Sequence, residues 1–180
     1  MKVSWKRAFY VGGFLALLCG GLGLIIAGGD MITRDRIAQN EIEKEKSGLS
    51  KVFGSNCDYG EATSINDESW PTLKKYWTVK DGEKILGRVY ATSGSNAYGD
   101  VSLLVGINAD YSLGQISVLK NTESYATTLE DGYLIPYQQE EDKAAIVTQV
   151  NCGATYGAKM CRDMILSAKT HYQEDSYGEK

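Results

Sequence analysis

Histidine and proline are scarce in this chain of 180 residues, with one histidine and two prolines. A lone histidine argues against a histidine-rich metal centre and against histidine-dependent hydrolysis. His171 falls late in a helical stretch and is expected to be a solvated helix residue. The four cysteines form no closely spaced pairs of the zinc-binding kind. No Gly-x-x-x-x-Gly-Lys loop occurs, which removes the usual phosphate cradle of nucleotide hydrolases. An excess of positive charge is also missing. The 19 basic and 23 acidic side chains give a net charge of −4, so the chain lacks the basic footprint of a nucleic-acid binder. The length leaves room for one modest domain plus an N-terminal segment.

One long uncharged run is present. Ala8 to Gly29 covers 22 residues without a charge, enough to span a hydrocarbon core of about 30 Å at ~1.5 Å per residue. Lys2, Lys6 and Arg7 precede it, and Trp5 and Tyr10 suit the headgroup level. Gly12, Ala16 and Gly20, with Cys19, Gly23 and Ala27, form two rows of small residues through which such a helix packs on others. A cleaved signal peptide ending at Ala27-Gly28-Gly29 is the rival, but the run exceeds an ordinary apolar region of roughly 7–15 residues. The expectation is therefore a single-pass protein of the inner (cytoplasmic) membrane, in contact with lipid. Residues 1–7 would be a cytoplasmic N-terminus, 8–29 a transmembrane helix, 30–53 a juxtamembrane helix and connector, and 54–180 an extracytoplasmic domain.

Met31 to Lys46 is charged and free of glycine and proline, and is expected to continue as a helix ending near Gly48. Residues 54–74 read as loop. Lys75 to Lys80, the turn dipeptide Asp81-Gly82, and Lys84 to Thr92 read as a β-hairpin. Asn96-Ala97-Tyr98-Gly99 is a further turn, and Asp100 to Ile107 and Gln115 to Lys120 are two more strands. The expected fold class is α+β: a transmembrane helix followed by a small domain with a mainly antiparallel sheet and packed helices.

Ile146 to Val150 is rich in β-branched residues and reads as a strand. After it, Ala158, Cys161, Met164, Ile165, Ala168 and Tyr172 recur at helical spacing, opposite Lys159, Arg162, Asp163 and Thr170. The connection Asn151-Cys152-Gly153-Ala154-Thr155 bends at Gly153 and delivers a threonine hydroxyl to a helix N-terminus, whose free N–H groups and dipole suit a phosphate. The plainer alternative is that Thr155 only caps the helix.

Gly153-Ala154-Thr155 resembles the flavin-attachment motif shared by the covalent-FMN subunits of two membrane electron-transport assemblies, the Rnf complex and the sodium-pumping NADH:quinone reductase. The Rnf-type protein is the nearer match in length. That motif reads roughly Asp-x-x-Ser/Thr-Gly-Ala-Thr-x-Thr/Ser, and a dedicated flavin transferase esterifies its first threonine after Gly-Ala to the phosphate of FMN. Thr155 is the matching position. Gln149, Cys152 and Gly157 depart from it, standing in place of the Asp, the Ser/Thr and the second hydroxyl residue. Tyr98 to Asn108 is similar to the family's Tyr-Gly-Gly-x-Ile-x-x-Leu-Val-Gly-Ile-Asp strand. Gly114 to Glu123 is similar to the strand that follows it, with Glu123 retained and Ser124-Tyr125-Ala126 replacing a Thr-Pro-Gly turn. Ile32 to Asn40 resembles the family's juxtamembrane segment.

The resemblance implies FMN joined by a phosphoester to Thr155, with Gly153 and Ala154 shaping the turn, Cys152 and Tyr156 flanking it, and Glu123 nearby. It implies an electron-carrying member of a redox-driven, ion-translocating complex rather than a stand-alone enzyme. Its partners would be the other membrane subunits and, during maturation, the flavin transferase. The flavin would supply the redox chemistry, and no convincing catalytic triad or dyad is present. Tyr125, Tyr133, Tyr137 and Tyr156 are candidates to stack on its ring. Cys57, Cys152 and Cys161 leave room for a disulfide. Two alternatives stay open: a flavin-less docking protein of the same complex, and an unrelated membrane-anchored sensor or binding module.

Overall fold

A computed structural model describes residues 5–135 and 152–178 of the chain. It divides into two compact units, Met1–Glu43 and Lys44–Lys180. Helix α1 runs over Trp5–Phe53, so the division falls within it. In the first unit, the described side chains of α1 are exposed.

The transmembrane expectation is corrected here. Among the described residues no helix is long and apolar enough to cross a membrane. Gly12, Gly13, Gly20, Gly21 and Gly23 leave residues 12–23 of α1 without apolar side chains at five positions. The placement as a single-pass protein of the inner membrane falls with it.

The second unit is built on an antiparallel sheet of six strands: β1 Asp58–Tyr59, β2 Thr63–Ser64, β3 Leu73–Asp81, β4 Lys84–Asn96, β5 Gly99–Asn108 and β6 Leu113–Asn121. Their order is β1-β3-β4-β5-β6, with β2 also paired to β3. The hairpin expected at Asp81-Gly82 joins β3 to β4, pairing Asp81 with Lys84. The strands expected over 100–107 and 115–120 are β5 and β6. The stretch 54–74, expected as loop throughout, contributes β1 and β2, which pair with β3. After β6 come a short helix, α2 Ala126–Leu129, a π-helical turn over Glu130–Leu134, and the long helix α3, Thr155–Gly178. The strand expected over 146–150, with Gln149, lies outside the described residues, as does Tyr137.

Both faces of the sheet are covered, and alternation along each strand sorts its side chains between them. Tyr90 on β4 and Val101, Leu103, Val105 and Ile107 on β5 face α3 and are all 0% exposed. They meet the helical stripe read from the sequence, Ala158, Cys161, Met164, Ile165, Ala168 and Tyr172, every one of them buried. Burying a side chain the size of Met164 or Ile165 stabilises by about 1.5–3 kcal/mol, so this stripe fixes α3 on the sheet. On the opposite face, Val79, Val89, Ala91, Leu104 and Trp77 pack with Leu49 and Val52 of α1.

That second layer explains why α1 does not stop near Gly48. The helix continues to Phe53, and Gly48 is buried inside it, where a Cβ would lie 2.7 Å from Leu104 Cδ1. The missing side chain lets the helix approach the sheet instead of ending it. The Tyr59 hydroxyl then donates towards the carbonyls of Leu49, at 2.7 Å, and Gly54, at 2.8 Å, the second of which the helix end leaves open. Burial, with the nearby Cys57 adding to it, pushes the Tyr59 hydroxyl up to about 12.

Candidate functional site

The N-terminus of α3 is set by the turn that precedes it. Gly153 has φ +73, the left-handed region that glycine enters without a Cβ penalty. Ala154 is buried at 5%, and its carbonyl accepts the first intrahelical bond, from the Ala158 N–H at 3.0 Å. Ala154 is therefore the cap position and offers no side-chain acceptor. Thr155 is the first helical residue, with an exposed side chain. The plain capping role does not describe it. The N–H groups of Thr155, Tyr156 and Gly157 belong to the opening turn, which has no intrahelical acceptors for them.

Glu123 lies against this turn. It is 6% exposed, and its carboxylate sits so close to Gly157 that a Cβ there would lie 2.3 Å from Oε2 and 2.6 Å from Oε1. Asn96, at the end of β4, donates its side-chain amide to Glu123 Oε1 and accepts the Tyr98 N–H on its Oδ1 at 2.7 Å. The Tyr98 carbonyl in turn accepts the Ser124 N–H at 2.9 Å. The β4–β5 turn and the loop after β6 are thus laced together, with Asn96 at the junction. The sequence places Asn96 in a turn but gives no sign of its link to Glu123.

A cavity of about 320 Å³ opens over these groups, near the lower end of the ~300–1,000 Å³ range of small-molecule sites. Gly153, Ala154, Thr155 and Tyr156 line it from the helix end, together with Glu123, Tyr98 and Tyr125. Five of the six residues expected around a cofactor therefore share one cavity. The sixth, Cys152, does not line it; its Cβ packs where a Cβ of Gly132 would lie, 2.7 Å away. Tyr98 joins the cavity from a turn whose sequence carries no signal of that proximity. Tyr133, expected as a stacking candidate, is instead buried in the core.

A larger cavity, of about 560 Å³, follows β6 between Lys51 and Glu130. It is lined by successive side chains of one strand and holds none of the residues expected to act.

The cysteines are free, so the disulfide considered among Cys57, Cys152 and Cys161 is not formed. Cys161 is buried, and burial, then the charges of Glu123 and Cys152, push its thiol up to about 12. It is a core residue, not a reactive one. Among the described residues no group of three His, Cys, Asp or Glu side chains converges as a metal site would require.

A second polar cluster lies at the other end of α3 and corrects the reading of His171 as solvated. Its Nδ1 is 3.1 Å from the Tyr90 hydroxyl, and its ring stands edge-on to Trp70 and Tyr90, each at 5.5 Å between centroids. Burial lowers its pKa, aided by Arg88 and opposed by Asp175, Glu174 and Asp67. Arg88, buried at 7%, pairs with Asp175 and lies over the Tyr76 ring at 4.5 Å and the Tyr172 ring at 5.2 Å. Every group here has a partner within the fold, so the cluster secures α3 to β3 and β4.

No protein-family model matches the chain, and comparison with the curated proteins gives no match.

Proposed function

We propose that the domain is a flavin-bearing electron carrier, with FMN joined through its phosphate to the Thr155 hydroxyl, as in the flavoproteins whose motif Gly153-Ala154-Thr155 resembles. The observation that carries this reading is the exposed Thr155 at the first position of a 24-residue helix, beside a cavity that also holds Glu123. The groups present fit such a cofactor. A phosphodiester at Thr155 would bear a single negative charge at the positive end of α3, where dipole and N–H groups favour an anion. The Glu123 carboxylate fills the space over Gly157, leaving the exposed side of the turn to the phosphate.

Bound there, the flavin would supply one- and two-electron chemistry. The chain would provide its attachment and orientation and a protein wall against water, with no general acid or base required. Attachment joins the Thr155 Oγ to the flavin-side phosphorus as the phosphoanhydride bond of a flavin dinucleotide breaks; the nucleoside monophosphate departs as leaving group, and the hydroxyl proton goes to solvent. The partners on this reading are a flavin transferase and the redox proteins of an Rnf-type assembly.

The test is intact-mass analysis of the full chain produced with an active flavin transferase. The expected result is a mass gain of one flavin nucleotide, with a fluorescent band surviving denaturing electrophoresis, and loss of both in Thr155→Val. An unmodified chain, made in cells that flavinylate other proteins, removes the electron-carrier reading and leaves a flavin-less docking role.

A further inference from the structure

We propose that Tyr98, Tyr125 and Tyr156 form a receptor for the flat heteroaromatic ring of a flavin tethered at Thr155, a reading that rests on the attachment proposed above. Five large apolar side chains are exposed in the second unit among the described residues: Ile85, Tyr98, Tyr125, Tyr156 and Leu166. The three tyrosines line the same cavity, although they come from the β4–β5 turn, the loop after β6 and the first turn of α3. Ile85 and Leu166 lie elsewhere, at the start of β4 and further along α3. A gathering of exposed aromatic rings from three elements marks a binding surface, whereas single exposed apolar residues need no explanation.

The rings are already in contact. Tyr98 stands 6.3 Å from Tyr125 and 5.7 Å from Tyr156, centroid to centroid, at interplanar angles of 61° and 34°. These edge and tilted arrangements satisfy the aromatic quadrupoles while Tyr125 and Tyr156 remain 56% and 68% exposed. The Asn96 and Ser124 hydrogen bonds hold the backbone of Tyr98 on both sides, so the surface is organised before a ligand arrives, which lowers the ordering cost of binding. Tyr156 follows Thr155 directly, placing one wall of the receptor beside the tether. The ligand class is set by the surface: a planar ring with polar edges, stacking on phenol faces near a carboxylate.

Tyrosine in contact with an excited flavin quenches its fluorescence by lending it an electron that returns within the pair, so the contact can be read directly. The full chain, loaded by a flavin transferase, is compared native and unfolded. The parent should be several-fold dimmer native than unfolded. Tyr98→Leu, Tyr125→Leu and Tyr156→Leu should each brighten the native form, and the triple variant should bring it close to the unfolded value. Leucine keeps apolar cover at these exposed positions, and circular dichroism checks the fold. A native flavin as bright as the unfolded one, or a triple variant as dim as the parent, overturns the receptor while a fluorescent gel band leaves the attachment standing. An unmodified Thr155 ends both readings.

Discussion

A Cβ added to Gly157 would fall 2.3 Å from Oε2 of the buried Glu123, so the first turn of α3 and this carboxylate fit together only because residue 157 has no side chain. The flavin-attachment motif that the chain resembles carries a hydroxyl residue at this position. In this chain the space left at Gly157 is taken by the Glu123 carboxylate.

Glycine to alanine within a helix ordinarily stabilises by up to about 1 kcal/mol. At Gly157 the clash reverses the sign, because overpacking of a filled site costs about 1–3 kcal/mol. Gly157→Ala should lower the urea midpoint and reduce flavin loading at Thr155. An alanine variant as stable as the parent would show that Glu123 moves aside without cost, and that the carboxylate does not define the site.

Asn96 supplies the amide donor to Glu123 Oε1. Asn96→Ala leaves that oxygen without this donor and should cost about 1–3 kcal/mol. Asn96→Asp sets two carboxylates face to face, and such a pair holds a proton more tightly than either acid alone. Its stability relative to the parent should rise as pH falls. Urea titrations of the three proteins at neutral and mildly acidic pH check both statements, and a pH-independent difference for the aspartate variant would refute the second.

Thr155 is exposed at the first helical position, and only its hydroxyl is needed for a phosphoester. Thr155→Ser should retain the flavin mass and the fluorescent band, while Thr155→Val should lose them at unchanged thermal stability. A serine variant that folds yet stays unmodified would place the requirement on the threonine methyl instead.

His171 ties folding to pH. Its folded pKa lies below the unfolded value of about 6.5, chiefly through burial. In that window the unfolded chain binds more protons than the folded one, so the contribution is complete above the unfolded pKa. It is lost as pH falls towards the folded value. The Asp175, Glu174 and Asp67 charges limit the shift, and Arg88 adds to it. The thermal midpoint of the parent should drop more steeply between about pH 7 and 5 than that of His171→Gln. Parallel curves for the two proteins would count against the assignment.

Much of the second unit is legible in the sequence because its signals are local. The spacing from Ala158 to Tyr172 gives the buried face of α3, the dipeptide Asp81-Gly82 gives the hairpin, and the runs Asp100 to Ile107 and Gln115 to Lys120 give the cores of β5 and β6. Two-residue β1 and β2 leave no periodicity to read, and they exist because β3 offers an edge for them to pair with. Gly48 reads as a stop because glycine often ends helices. The contact with Leu104 that keeps it inside α1 is made by a residue far away in sequence. The run from Ala8 reads as a membrane span by its absence of charge, whereas the described helix is not long and apolar enough to cross one.

The order of residues alone determined that a threonine hydroxyl would follow a glycine bend and open an amphipathic helix, since bend, cap and stripe are set by neighbours within a few turns. Tertiary structure alone decided what that hydroxyl looks out on. Glu123, Tyr98 and Tyr125 line its cavity from separate elements, and His171 is drawn against Trp70 and Tyr90, because the pairing of distant strands, not local propensity, chooses which side chains meet.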